Sequence, residues 1–154
     1  MNFITILPYS AIDIACFFKR EYNLSYREKP LEHLKLQKLI YIGYGWCWAI
    51  LEKQLFKDRI EAWPHGPIIP RVHDKFKQLG GSEKALDKDV KEVLEVVYKS
   101  YSDVPSGTMA RITHAPGTPW SSTYDGTRHK EIPKPLIHRY YELLYDAKRR
   151  CKIS

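Results

Sequence analysis

Apolar residues recur along most of this chain at helical spacing. Ala11, Ile14, Ala15, Phe18 and Tyr22 share one face, with Ser10 placed to cap the segment and Asp13 in its first turn. Leu36, Leu39, Ile40, Gly43, Cys47 and Ile50 form a second stripe, widened by Tyr44, Trp48 and Leu51. That pattern predicts a central helix over about 32–51, covered on most sides. Gly43 costs about 1 kcal/mol relative to alanine in a helix, so its presence predicts close approach of a neighbouring helix. Residues 55–63 carry Leu55, Phe56, Ile60 and Trp63 without a sustained period and read as an extended segment or short strand. Pro67 or Ile69 opens a third helix that runs to Leu79, with Gly80-Gly81 as its stop. Val90, Val93, Leu94, Val97, Tyr98 and Tyr101 make the face of a fourth helix over about 87–101. Its outer side carries the i,i+4 pairs Lys88–Glu92, Lys91–Glu95 and Glu95–Lys99 and reads as solvated.

Pro105-Ser106-Gly107 then breaks the chain, and a short helix through Met109 and Ile112 ends at His114. Thr118-Pro119-Trp120 combines a cap, a first-turn proline and an aromatic anchor, and Gly126 ends that piece. The last helix spans about 133–150, with Leu136, Ile137, Tyr140, Tyr141, Leu143, Leu144 and Ala147 inward or nearly so. The pattern predicts an all-α, mainly helical fold. It is a single compact globular domain over residues 1–154, with six or seven helices and one short extended segment.

Glu61 to Pro70 is the most restrictive stretch, with Trp63, Gly66 and the prolines Pro64, Pro67 and Pro70. It reads as a rigid, packed elbow leading into a helix whose first turn tolerates proline. It holds no nucleophile–base pair and no phosphate loop.

Together with its surroundings this stretch carries a resemblance. Leu36-Gln37-Lys38, Trp46, Leu55-Phe56, Trp63, Gly66-Pro67 and Pro70, followed by Thr113-His114 and Pro119-Trp120, resemble the Panacea domain. This is the SocA-like and GepA-like antitoxin family of bacteria and phages, and the likeness runs from about Ile12 to about Tyr140. Phe76 and Gly80-Gly81 fit the same pattern. Arg71-Val72-His73-Asp74 departs from it, lacking the aliphatic–aromatic pair often seen there. The resemblance implies a cytoplasmic antitoxin that neutralises a toxin encoded beside it, usually by direct protein contact. It also implies, for some members, an adaptor role that delivers the toxin to a cytosolic ATP-dependent protease. It carries over no catalytic residue.

Bulk properties fit one domain. The chain has 154 residues, 44% of them hydrophobic, and 13% are aromatic. No apolar run approaches the ~20 residues needed to cross a bilayer, and residues 3–7 are too short for a leader. The reading is a cytoplasmic protein without a membrane role. Cys16, Cys47 and Cys151 are few and far apart, which excludes a disulfide framework and a cysteine-based zinc site. Asn23-Leu24-Ser25 spells a glycosylation acceptor, with nothing to suggest secretion.

The candidate chemistry is sparse. No pair among His33, His65, His73, His114, His129 and His138 sits at i,i+4 with a carboxylate neighbour, so no metal site is expected, and no cofactor. His65 is placed to cap backbone groups or stack on Trp63, and His114 to bond the last carbonyls of its helix. Cys47 lies mid-helix among apolar residues, where its thiol is inert. Ser106 and Ser121-Ser122 look like caps. Gly80-Gly81-Ser82 lacks the ending of a phosphate loop. The chain reads as a non-enzyme.

The formal net charge of +7 leaves a second reading, a basic nucleic-acid-binding protein or operon repressor. Lys148-Arg149-Arg150-Cys151-Lys152 is a compact basic run, but most tyrosines fall on apolar stripes and no helix-turn-helix emerges. A toxin that binds tRNA has a basic site of its own. The antitoxin would then meet it through an apolar or locally acidic face, or dock elsewhere. Residues outside the core stripes are the best toxin contacts. They are Arg71, His73, Asp74 and Lys75, where the family pattern breaks, with His65 nearby.

Overall fold

A computed structural model describes residues 5–80, 84–127 and 129–153. Strand β1 (Thr5–Tyr9) leads into α1 (Ala11–Ser25) and α2 (His33–Leu51). Three short strands follow: β2 (Lys53–Phe56), β3 (Glu61–Trp63) and β4 (Gly66–Ile68). Next come α3 (Pro70–Lys75), extended by a 3-10 turn over Phe76–Gln78, then α4 (Lys88–Tyr101) and α5 (Ser106–His114). The chain closes with α6 (Pro119–Thr123), β5 (Lys130–Glu131) and α7 (Lys134–Ile153). Gly81 and Ser82, like Phe3, lie outside the described residues, as does the side chain of Lys152.

Helix α2 is the axis of the molecule. Every residue from Leu36 to Ala49 is buried, as its broad apolar stripe requires. Two glycines admit its neighbours. A Cβ at Gly43 would meet Leu94 Cδ2 of α4 at 2.8 Å and Phe18 Cζ of α1 at 3.4 Å. A Cβ at Gly45 would enter the Tyr141 ring of α7. The close approach expected at Gly43 is therefore present, and Gly45 makes a second one that its stripe position did not announce. Helix α1 starts with a full capping box: Asp13 N–H donates to Ser10 Oγ at 3.2 Å, and Ser10 N–H donates to Asp13 Oδ2 at 2.9 Å.

The fold is mainly helical, with two small sheets that the all-α expectation did not include. β1 and β2 pair in parallel, Thr5 opposite Lys53 and Tyr9 opposite Phe56, with an irregularity between Ile6 and Tyr9. β4, β3 and β5 form an antiparallel sheet in that order. Arg59 fastens the far side of it. Its guanidinium reaches Glu61 and Glu131 at 2.6 Å each and donates to the His129 carbonyl at 2.9 Å.

The elbow is a β-hairpin. Ala62 faces Pro67 and Trp63 faces Gly66 across a two-residue turn, Pro64-His65. Pro67 therefore does not open a helix. It is tolerated in β4 because that strand is a sheet edge, where a missing donor costs no ladder bond. The helix opens at Pro70 in the first turn. Proline cannot take a positive φ and His65 does not. The positive φ that so tight a hairpin needs falls on Gly66, at 117°.

Candidate functional site

The hairpin gathers residues from α2, α3, α5 and α6. From α2, Gln37 clamps the strand that leaves it: Ile69 N–H donates to Gln37 Oε1 at 2.8 Å, and Gln37 Nε2 donates to the Ile69 carbonyl at 3.2 Å. The first bond satisfies the Ile69 N–H inside the core, where an orphan would cost about 1–3 kcal/mol; the carbonyl also accepts from the Val72 and His73 N–H groups as α3 starts. One residue on, Lys38 is only 2% exposed. Its Nζ donates to the His65 carbonyl at 2.6 Å and so holds the turn from below. Among the described residues no carboxylate pairs with it, and burial lowers its pKa to about 8.

From the other side come α5 and α6. Trp120 Nε1 donates to the Trp63 carbonyl at 2.7 Å. The His114 ring lies flat on Trp120, centroids 4.1 Å apart and 15° between planes, and Trp120 in turn stacks on Tyr124. His114 thus packs on an aromatic face instead of bonding the last carbonyls of its own helix. Its Nε2 is buried without a hydrogen bond. Burial pulls its pKa below the ordinary imidazole value, with the His65 carbonyl acting the other way. Both Lys38 and His114 press on Gly66. A Cβ there would stand 2.8 Å from Lys38 Nζ and 3.0 Å from His114 Nε2. Gly66 is required twice, for its φ and for this contact. Thr113 is buried, its hydroxyl bonding back to Ala110 and Met109, and Pro119 is the buried first-turn proline of α6.

Trp63 is 9% exposed and donates Nε1–H to Glu61 Oε1 at 2.8 Å. His73, not His65, packs edge-on against it, with centroids 5.0 Å apart. His73 also touches His33 at 5.0 Å, and burial followed by the charge of His73 lowers the His33 pKa. Of the expected contact residues, His65, Arg71, His73, Asp74 and Lys75 are all exposed around α3 and the turn. Arg71 reaches Asp58 at 3.3 Å. The Asp58 carboxylate also accepts the Ala11 N–H at 3.0 Å, which ties the start of α1 to this surface.

A second feature lies across the molecule. Trp46 belongs to it and not to the hairpin: its ring meets Tyr141 edge-on at 5.4 Å. Between α4 and α7 runs an apolar groove of about 530 Å³, floored by Trp46, Val93, Val97 and Tyr101. Asp89 and Glu92 stand on one rim, Lys148 and Arg149 on the other. Lys148 lies over the Trp46 ring at 5.1 Å and Arg149 over Tyr145 at 5.4 Å. Sequence reasoning missed this groove. The available signal was Val96, an apolar residue off the α4 stripe that is 63% exposed.

These observations define a mainly helical scaffold locked around one hairpin, whose buried face is made by the residues that carry the resemblance. The chain belongs to the family described as antitoxin SocA-like, Panacea domain, whose model matches residues 36–121, more than half of the 154. That span holds Gln37, Lys38, the hairpin, Thr113-His114 and Pro119-Trp120, and so the whole cluster. Neither a curated protein nor a solved structure matches the chain. Among the described residues, no helix is long and apolar enough to cross a membrane.

Proposed function

We propose that this protein is an antitoxin that neutralises a cognate protein toxin by direct protein–protein contact. The family match carries this reading. The geometry supports it: the matched residues build a platform, and above it Pro64, His65, Arg71 and His73 form an exposed rim, Arg71 and His73 resting on the platform through Asp58 and Trp63. Rigid presentation lowers the ordering cost of binding. Toxin contact through His65, Arg71, His73, Asp74 and Lys75 accounts for the departure from the family pattern at α3, since partner choice is written where partners touch. An adaptor role toward an ATP-dependent protease would use the same contact to hold the toxin.

The test is the double variant Arg71→Glu, His73→Asp, which inverts the local charge on exposed positions. It is expected to keep its circular dichroism and to lose rescue of cells expressing the toxin encoded beside it. Full rescue at matched expression would move the interface. The α4–α7 groove is then the competing surface, because its apolar floor and charged rims have the make-up of an interface core and edge. Val96→Glu in the same assay separates the two.

A further inference from the structure

Glu52, His138 and Glu142 converge where the end of α2 meets α7. His138 Nε2 lies 3.5 Å from Glu52 Oε2 and 3.5 Å from Glu142 Oε2. The three ligand atoms all fall within 4.8 Å of one another. His138 and Glu142 are one helical turn apart, which sets them on a common face. Glu52 is the left-handed cap of α2, at φ 56°. Its backbone is therefore anchored at the junction of α2 and β2, and its carboxylate reaches His138 from the exposed side.

The two carboxylates are exposed, and two features set the imidazole between them apart from an ordinary surface ion-pair partner. His138 Nε2 is buried and makes no hydrogen bond, although two carboxylates flank it. Buried polar atoms ordinarily have partners, and 3.5 Å exceeds the length of an N–H···O bond. The same 3.5 Å is close to the edge of a tetrahedron, about 3.3–3.5 Å, when metal–ligand bonds are ~2.0–2.1 Å. The ring is also preset. It stacks on Trp48 with centroids 4.4 Å apart and 13° between planes, which fixes the direction of Nε2. One imidazole with two carboxylates suits a first-row divalent metal, whereas magnesium and calcium prefer all-oxygen shells.

We propose that Glu52, His138 and Glu142 bind a divalent transition metal, zinc being the reference ion, with water completing a four-coordinate shell. The ion would clip α7, which lies beyond the family match, to the end of α2. Sequence spacing alone does not bring this set together, because Glu52 arrives from a distant element.

The experiment titrates chelator-treated full-length protein with zinc chloride, with magnesium chloride in parallel, by calorimetry and tryptophan fluorescence. One equivalent of zinc should bind saturably, with an emission change from Trp48, and magnesium should not compete. Glu142→Gln and Glu52→Gln alter exposed carboxylates and should fold. Each should weaken zinc binding by ~10-fold or more and shift the emission change to correspondingly higher zinc. At a hundredfold excess over Kd the wild-type Tm should rise by roughly 5–10 °C. Absence of saturable zinc binding overturns the proposal. So does zinc binding that both variants leave unchanged.

Discussion

Replacing Lys38 with methionine should alter how stability depends on pH. Burial lowers the folded-state pKa of this amine from 10.5 to about 8. The unfolded chain therefore holds the proton up to the ordinary value, and the folded chain releases it earlier. Between those values the unfolded state binds more protons, so unfolding free energy rises with pH. At about 1.4 kcal/mol per unit, the wild type gains roughly 2–3 kcal/mol from this group between pH 7 and pH 10. Methionine keeps the unbranched apolar stem and removes the titration. It also leaves the His65 carbonyl without its donor, which costs about 1–2 kcal/mol. Lys38→Met should thus be roughly 1–2 kcal/mol more stable than wild type at pH 7 and no more stable than it at pH 10. Buried Tyr41 and Tyr44, whose pKa values burial raises, act alike in both proteins and cancel. Urea unfolding followed by circular dichroism across this range measures the difference directly. A gap between the two proteins that does not change with pH would refute the account of Lys38 as a buried, unpaired cation.

Two further substitutions test the packing. Trp63→Ala removes a buried ring that anchors Glu61 and contacts His73, and should cost about 3–5 kcal/mol in chemical denaturation; an unchanged Tm would make Trp63 a binding residue instead. Gly45→Ala drives a methyl into the Tyr141 ring and should destabilise by about 1–3 kcal/mol despite the better helix propensity of alanine; a neutral result would mean α7 yields at that point.

Helices were legible because their signals are local. Ser10 and Thr118 cap, the α2 stripe is broad, and Pro105 and Pro133 mark boundaries that hold to within a residue or so. The small sheets were not. β5 has two residues and β3 three, too short for any alternation to register. The extended reading of residues 55–63 and the helix start at Ile69 fit β3 and the cap of α3; the start at Pro67 does not, because Pro67 is compatible with both a first helical turn and an edge strand, and only its pairing with Ala62 decides between them. The matched residues were visible as a pattern, yet their common purpose was not. Lys38, His65 and His114 are far apart in sequence, and nothing local says that the first donates to the second while the third packs over the same glycine. The exposed rim around α3 was legible in composition alone, since Arg71, His73, Asp74 and Lys75 belong to no apolar stripe.

Direct neutralisation is the central claim, and one co-purification tests it. The full chain is tagged and co-expressed with the protein encoded next to it, then purified after nuclease digestion and a high-salt wash. The account predicts stoichiometric retention of that neighbour together with survival of the cells. Loss of the neighbour under those conditions, with salt-sensitive retention of nucleic acid instead, would contradict it.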